Sequence, residues 1–288
     1  MRTKPFCRLF LFRFTFISVA WPFAFAAPAS NPVTPREPIV LFDGSKVSDL
    51  SRFYVWLGPL GKDHDPNRVF TVVDQVDGAR AIRVSGENWG GIVTREEYAN
   101  YKLVLEFRWG ALTWGARKDR ARNSGVLLHC QGADGNYRED FKGHWTASVE
   151  YEIIEGRVGD IILVGGFAPG GGDKILPRVV MTQSSERIWD PNGTPKEFKP
   201  GMGHLHWRHW DPNWKDVLGF RGPKDPDKPI GQWNVAEAVA DGDRLVYFVN
   251  GEKVMEATKV WPSHGRLLFQ SEGAEIFFRR IELQPLGK

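Results

Sequence analysis

Three glutamates lie close together in the stretch Ala147–Gly156, which reads ASVEYEIIEG. Its β-branched and aromatic residues, closing on a glycine, predict a β-strand. Because side chains alternate along a strand, Glu150 and Glu152 should share one face, with the apolar residues beside them on the opposite, core face. Glu155 falls out of phase with this pair. A β-bulge near Ile154 would return it to their face.

Acids on one strand face indicate either a solvated outer surface or the floor of a cleft. We prefer the cleft, because three acids within six residues are unusual for a strand that also carries an apolar face. The Cα atoms of Glu150 and Glu152 should lie about 6.6 Å apart. Two carboxyls at that spacing repel each other when both are ionised, which raises one pKa and suits an acid–base pair.

A second group of residues that could do chemistry is the pattern H-x-H-x-x-H, formed by His204, His206 and His209. On a strand the first two would share a face, so a zinc site is one interpretation. The other is an aromatic loop, which we prefer, so we expect no required metal here. Three tryptophans interleave with the histidines: Trp207, Trp210 and Trp214. Tryptophan faces stack on flat ligands, but core packing is the alternative for each.

The elements that must position these residues are short strands separated by turns. The predicted strands are 39–42, 69–74, 80–84, 101–109, 124–130, 160–164, 232–240, 244–250, 252–257, 266–270 and 275–283. Turns are expected at Asp77-Gly78, Asp241-Gly242 and Asn250-Gly251. Residues 166–230 are rich in Gly, Pro and Trp, which predicts long loops and not a second domain. No long amphipathic helix is evident, so the sequence predicts an all-β sandwich or barrel.

The first 27 residues resemble a secretory signal peptide, with a basic start, an apolar run and the small-x-small motif Ala24-Phe25-Ala26. A membrane anchor is the alternative, but the run is short and Pro22 interrupts it. We therefore expect an exported protein without stable membrane insertion. Residues 28–38 should form an extended tether and residues 39–288 a single β domain.

Removing the leader changes the charge and the cysteine count. The full chain carries +3 and the leader four basic residues and no acidic one, so the mature chain is near −1 (3 − 4). Nothing in this balance favours a nucleic-acid partner. Cys7 leaves with the leader, so an internal disulfide is excluded for Cys130. We expect Cys130 to be a buried thiol.

The order of these elements resembles the 3-keto-disaccharide hydrolase domain family. The resemblance covers nearly all of the mature chain except the Gly/Trp-rich region. It rests on LFDG at 41–44, 92–98, YKLVLEF at 101–107, NSGV at 123–126, 150–155, GDI at 159–161, GQWN at 231–234, VNG at 249–251 and FRRI at 278–281.

This resemblance implies a concanavalin A-like jelly-roll β-sandwich with long Gly/Trp-rich loops. It also implies action on sugars whose C3 hydroxyl has been oxidised to a ketone. Glu150 matches an acidic position in the family strand Tyr-Glu-x-Gln-x-x-Asp, whereas Glu152 replaces the usual Gln and Glu155 the usual Asp. His129 stands where Arg is common, and Arg280 where Asn is common. The stretch QSEG at 270–273 replaces the common Gln-Asp-His-Gly.

A ketone at C3 acidifies the proton on C2, so cleavage can proceed by elimination followed by hydration. Such a site needs a base, an acid and a cationic partner for the enolate oxygen. We assign these roles to Glu150, Glu152 and Arg279, although Arg279 pairing structurally with either glutamate is equally plausible. Further contacts with the carbohydrate substrate are expected from Asn123, His129, Glu155, Asp160, Trp207, Trp210, Gln270 and Glu272. No redox cofactor is required, and a divalent metal is not supported.

Two other functions remain open at this point. Laminarinase-type retaining endo-glucanases carry Glu-x-Asp-x-x-Glu on one strand, close to the 150–155 stretch. In that case Glu150 would be the nucleophile and Glu155 the acid, with carboxyls about 5–5.5 Å apart. The second alternative is a non-catalytic carbohydrate-binding module that uses only the tryptophans.

Overall fold

The computed structural model describes residues 31–47, 49–170 and 172–287. The expected signal peptide and the first residues of the expected tether lie outside the described residues. Residues Asn31–Lys288 form one compact unit. Among the described residues, no helix is long and apolar enough to cross a bilayer.

The described residues form nineteen β-strands and three single-turn 3₁₀ helices, at Gly58–Leu60, Gly115–Arg117 and Ser185–Arg187. The strands are β1 (Ile39–Phe42), β2 (Phe53–Leu57), β3 (Gly61–Lys62), β4 (Phe70–Val76), β5 (Ala79–Val84), β6 (Gly90–Thr94), β7 (Tyr101–Thr113), β8 (Asn123–Gln131), β9 (Ala147–Ile154), β10 (Ile161–Val164), β11 (Gly166–Phe167), β12 (Lys174–Ile175), β13 (Arg178–Gln183), β14 (Thr194–Phe198), β15 (Asn234–Asp241), β16 (Arg244–Val249), β17 (Glu252–Trp261), β18 (Arg266–Ser271) and β19 (Ala274–Pro285).

Two antiparallel sheets make up most of the described chain. The larger has the order β14-β13-β17-β16-β15-β7-β19-β5-β4, with β1 also pairing with β19. The smaller has the order β10-β9-β8-β18-β6-β2-β3, and β11 pairs with β12 in a separate ribbon. The glutamate strand β9 therefore lies inside the smaller sheet, between β8 and β10.

The core lies between these two sheets. From β7, Leu105 and Phe107 are fully buried, as the alternation of that strand predicts. From β9, Tyr151 stacks on Tyr247 of the opposite sheet with ring centres 4.2 Å apart, and its hydroxyl donates to the Phe248 carbonyl at 2.9 Å. Burying each such side chain contributes about 1.5–3 kcal/mol. The predicted all-β jelly-roll sandwich is confirmed.

Several predicted turns are present. Asp77 and Gly78 have φ of 50° and 74°, and Asn250 and Gly251 have 48° and 85°. Two-residue hairpin loops of this kind need positive φ at both central positions, which Asn, Asp and Gly tolerate. The hairpin β4–β5 and the meander β15–β16–β17 form around these turns. Cys130 is buried, as expected.

Two expectations differ from the structure. Residues 166–230 are not loops throughout, because β13 and β14 extend the larger sheet beyond β17. Val179 and Met181 of β13 alternate into the core, a strand pattern that the surrounding glycines and prolines obscured. The expected tether is also attached in part. The Val33 amide donates to the Glu97 carbonyl at 2.7 Å, and the Val33 carbonyl accepts from Ala99 at 3.0 Å.

Candidate active site

A cleft of about 850 Å³ opens on the face of the smaller sheet that points away from the core. Its floor carries Glu150 and Glu152, while Tyr151 between them faces the core. Other polar side chains that line it include Glu272, Asn123, Arg157, His204, Arg117, Asp216 and Lys174. The alternation of β9 thus divides its side chains between cleft and core, as its sequence predicts.

A glycine on the neighbouring strand leaves space for the carboxyls. Gly125 of β8 lies opposite Glu152 in register. A Cβ added to Gly125 would lie 2.6 Å from Gln270 Oε1 and 2.8 Å from Glu150 Oε1. Any side chain at this position would therefore collide with the groups on the floor.

The floor carboxyls are buried close to one another, and this changes their protonation. Burial, and then the charge of Glu272, raises the pKa of Glu150 to about 8. Burial, followed by the charges of Glu150 and Glu272, raises the pKa of Glu152 well above its usual range. Burial also raises the pKa of Glu272 to about 7. At neutral pH Glu150 and Glu152 therefore mostly hold protons that an ordinary carboxyl would release, and Glu272 holds one part of the time.

Two buried amides support this floor. Gln270, at the end of β18, hydrogen-bonds to Glu150, and Asn123, at the start of β8, hydrogen-bonds to Glu272. Both bonds stabilise the ionised carboxylate and partly offset burial. Gln270 Oε1 and Asn123 Oδ1 are themselves buried without a partner among the described residues. The sequence placed all four residues at the site, and the structure brings them together.

Arg157 supplies a positive charge at the edge of the floor. Its Nε lies 3.1 Å from Asp160 Oδ2, and its guanidinium lies 4.6 Å from the centre of the Trp214 ring. Its charge acts on Glu152, whose pKa it lowers against the larger effect of burial. Arg117 also lines the cleft, but both of its terminal nitrogens bond Asp216. Arg157 is held as well, since its Nη2 lies 3.3 Å from His206 Nδ1, but its charge is the one that acts on Glu152.

Asp160 is fully buried beside the cleft and not in it. Its Oδ1 accepts from the Trp207 amide at 2.8 Å, and its Oδ2 lies 3.0 Å from His206 Nδ1. Burial alone would raise the pKa of Asp160, but the neighbouring imidazoles and the Arg157 charge hold it below its usual value. Asp160 is thus an ionised anchor, without direct access to a ligand.

The histidine pattern contributes one residue to the cleft. His204 lines it, whereas His206 is buried behind it and stacks on Trp210 with ring centres 3.9 Å apart. His209 packs edge-on against Trp207. Among the described residues, no group of three or more His, Cys, Asp or Glu side chains is arranged to hold a metal ion.

The tryptophans differ from their predicted placement. Trp207 is fully buried in the core, and Trp210 is covered on one face by His206, so neither lines the cleft. Trp214 and Trp145 line it instead. The alternation of these tryptophans with histidines along the chain does not indicate whether each ring faces the core or the cleft.

Arg279 is not at the site. It lies on β19 of the larger sheet, where it pairs with Glu106 and its guanidinium lies 4.4 Å from the Trp233 ring centre. A register shift between Phe278 and Arg280 turns Arg279 to the outer face of that sheet. The predicted partnership with Glu150 or Glu152 is therefore wrong.

Glu155 and His129 also lie outside the cleft. Strand β9 ends at Ile154, so the expected bulge does not form, and Glu155 turns toward Arg122, whose Nη1 lies 2.6 Å from Oε1. The amides of Arg122 and Gly219 donate to its other oxygen at 2.9 and 2.8 Å. His129 has φ of 60° at an irregularity in β8, which turns its ring against Tyr101 in the core. Its Nδ1 lies 2.9 Å from the Pro262 carbonyl.

Two residues that line the cleft were not assigned to it from the sequence: Arg157, and Trp214, which was named only among the tryptophans that interleave with the histidines. Arg157 follows the Glu155-Gly156 turn directly, so its nearness to the glutamate strand was a usable signal. Trp214 carried no such signal, because a loop far along the chain brings it back to Glu155, whose carbonyl accepts its indole N–H at 2.9 Å.

Several solved structures are similar to this chain. A candidate glycosyl hydrolase of Parabacteroides distasonis is 17% identical with a TM-score of 0.47, covering 87% of this chain and 94% of its own. The β-glucanase of Bacillus licheniformis is 7% identical with a TM-score of 0.41, covering 86% and 98%. The carbohydrate-binding module CBM66 of Bacillus subtilis is 12% identical with a TM-score of 0.35, covering 74% and 91%.

No curated protein matches the sequence. A family model described as the 3-keto-alpha-glucoside-1,2-lyase-like domain matches residues 37–284, which is most of the chain. The chain therefore belongs to the carbohydrate-active family of 3-keto-alpha-glucoside-1,2-lyase-like domains.

Proposed function

We propose that this protein cleaves 3-keto-glycosides by elimination followed by hydration. The observation that carries the proposal is the floor of the cleft, where Glu150, Glu152 and Glu272 are buried together with raised pKa values. Unpaired carboxyls held at the edge of protonation suit proton transfer to and from a substrate. Membership of the 3-keto-alpha-glucoside-1,2-lyase-like family supports this substrate class.

Glu150 acts as the base toward the C2 proton. A pKa of about 8 makes it a stronger base than an ordinary carboxylate, while leaving a fraction ionised at neutral pH. The C2–H electrons form the enolate, and the C1–O bond then breaks. Glu152, which burial keeps protonated, gives its proton to the departing oxygen. The products of this half are the free alcohol and an enone.

Arg157 takes the role first assigned to Arg279. The charge on the enolate oxygen needs a nearby cation or hydrogen-bond donor. Arg157 lines the cleft, and its Nε is held by Asp160. In the second half, water adds at C1 of the enone and C2 regains a proton. The overall change is hydrolysis with the ketone preserved, so no redox cofactor is needed.

The two rival functions lack support at particular residues. A laminarinase-type glucanase needs Glu155 as its acid, but Glu155 is bound to Arg122 and does not line the cleft. A binding module has no use for buried carboxyls with raised pKa values, since unpaired burial of such groups costs stability.

The test compares turnover of a 3-keto-glucoside with that of the same glucoside unoxidised. We expect the wild type to release the alcohol from the keto substrate only. Glu152→Gln should slow release of a poor leaving group more than release of nitrophenol, which needs little protonation. Cleavage of an unoxidised β-glucan with retention of the anomeric configuration would support the glucanase function instead. Binding without turnover of either would support the binding module.

We also propose that the protein is exported, from the basic start, apolar run and Ala24-Phe25-Ala26 motif of the leader. N-terminal sequencing of protein recovered from the cell exterior or periplasm should begin near Ala27. Recovered protein that begins at Met1 would contradict this.

A further inference from the structure

His204 presents one edge of its imidazole to the cleft and the other to a buried carboxylate. Its side chain is 32% exposed, and the Nδ1 atom is buried. That atom makes no hydrogen bond and lies 3.5 Å from Asp160 Oδ2, so the two groups interact through charge; Asp160 is the only carboxylate paired with His204 among the described residues. The edge of the ring that faces the cleft is therefore the one that carries Nε2.

Asp160 cannot easily turn away from this histidine. Its Oδ1 is fixed by the Trp207 amide at 2.8 Å, and its Oδ2 lies 3.1 Å from Arg157 Nε. A carboxylate held behind an imidazole favours the tautomer with the proton on Nδ1, which leaves the Nε2 lone pair facing outward. Nε2 is then able to accept a proton in the cleft.

We propose that His204, oriented by Asp160, is the base that deprotonates the water added to the enone in the second half of the reaction. The inference rests on the proposed function. The water proton passes to His204 Nε2 and the water oxygen bonds to C1. The double-bond electrons move to the C3 oxygen, and C2 receives the proton that Glu150 removed earlier. The imidazolium proton then returns, through solvent, to the Glu152 carboxylate left by the first half.

The groups that line the cleft differ in whether they can accept the water proton at this stage. Glu150 has just accepted a proton from C2 and cannot accept another, whereas Glu152 has given its proton to the departing oxygen and is a carboxylate at this stage. Arg157 is permanently charged and cannot accept a proton. Burial lowers the pKa of His204, so its imidazole is neutral at pH values at which Glu150 is still protonated in the free enzyme. His204 is therefore in the protonation state that this step requires, as is the Glu152 carboxylate, and wild-type hydration by His204→Gln would assign the step to Glu152.

The experiment uses the full chain with 3-keto-p-nitrophenyl glucoside. Nitrophenol release, corrected for the spontaneous rate, reports elimination, while mass analysis separates the enone from hydrated 3-keto-glucose. In His204→Gln we expect elimination within about threefold of wild type and hydration slower by about 10²–10⁴-fold, so that the enone accumulates. Added imidazole should restore part of the hydration in His204→Gly.

His206→Gln is the matched control. His206 contacts the same oxygen of Asp160 at 3.0 Å but is buried behind the cleft, so this variant should keep the wild-type ratio of hydrated product to enone. An equal change in the ratio of hydrated product to enone in both variants would show that the effect arises from the Asp160 network. That result would overturn the catalytic role of His204. Wild-type hydration by His204→Gln, or release of unhydrated enone by the wild type, would also overturn it. No release of nitrophenol by the wild type would instead reject the proposed function itself, and this inference with it.

Discussion

The carboxyls of the cleft floor and those just beyond the end of β9 differ in whether a positive charge pairs with them. Glu155 and Asp160 are as deeply buried as Glu150 and Glu152, but each has an arginine within 3.1 Å and backbone amides as further donors. The floor glutamates have no ion-pair partner among the described residues. Burial alone therefore does not identify a reactive carboxyl here. The presence or absence of the partner separates residues that stabilise the fold from residues able to exchange protons.

The largest effect should come from the unpaired side of this comparison. Glu150→Gln is nearly isosteric and removes a group that costs energy to ionise, so the fold should survive. The variant cannot accept the C2 proton, so turnover of a 3-keto-glucoside should fall by about 10²–10⁴-fold. Steady-state rates and melting curves of both proteins measure this.

Near-wild-type turnover in Glu150→Gln would break the assignment. A large fall in melting temperature would indicate that Glu150 serves the fold after all.

Substitution of an ion-paired carboxyl should have the opposite effect: it should lower stability and leave turnover almost unchanged. Glu155→Gln leaves the buried Arg122 charge without its partner, which should destabilise the protein by about 3–5 kcal/mol. Denaturant unfolding measures the loss. The rate per folded molecule should change little, because Glu155 does not line the cleft. Lost turnover at unchanged stability would show that Glu155 acts on substrate.

The pH dependence of stability should sharpen the contrast. The pKa of Glu150 is about 8 in the folded protein and about 4.3 when unfolded. Between these values the unfolded chain releases a proton that the folded chain keeps, so rising pH favours unfolding. The contribution is full below the unfolded pKa and is lost as pH rises through about 8, with a slope of at most about 1.4 kcal/mol per pH unit.

Glu150→Gln removes this titration, so its unfolding free energy should fall less steeply than that of the wild type between pH 6 and 9. Parallel curves for the two proteins would contradict the raised pKa.

The smallest effect is expected at Arg279. Its pair with Glu106 is partly exposed on the outer face of the larger sheet, and pairs of this kind contribute about 0.2–1 kcal/mol. Arg279→Ala should therefore lower stability slightly and leave turnover unchanged. A matched Arg157→Ala variant should lose turnover. Equal losses of turnover in the two variants would restore Arg279 to the site.

The part of the site that lies on regular strands was predictable. A period of two places Glu150 and Glu152 on one face of β9, and it holds because β9 is paired on both sides. The same alternation failed to predict the face of residues at strand ends and register shifts. The end of β9 misplaced Glu155, and the register shifts in β8 and β19 misplaced His129 and Arg279. One extra residue on a strand reverses every face that follows it.

Residues on long loops were the second group whose position could not be predicted from the sequence. Trp214 and His204 reach the cleft through a segment whose path depends on packing far along the chain, such as the exchange of amide and carbonyl bonds between Leu205 and Ile161 at 2.9 Å. Local propensity contains no information about such contacts. The alternation of buried Val179 and Met181 shows the reverse error, since this strand pattern was present and was outweighed by the composition around it.

The stack of Tyr151 on Tyr247 has a mechanical consequence for the cleft. It clamps the strand that carries the carboxyls to the opposite sheet, and the bond from the Tyr151 hydroxyl to the Phe248 carbonyl adds a second attachment. These two contacts hold the backbone beneath Glu150 and Glu152 against the opposite sheet. In the proposed reaction, little reorganisation energy would be spent when a proton moves, because the polar groups are already in place. The stack of Tyr151 on Tyr247 thus helps to fix the position of the strand that carries Glu150 and Glu152.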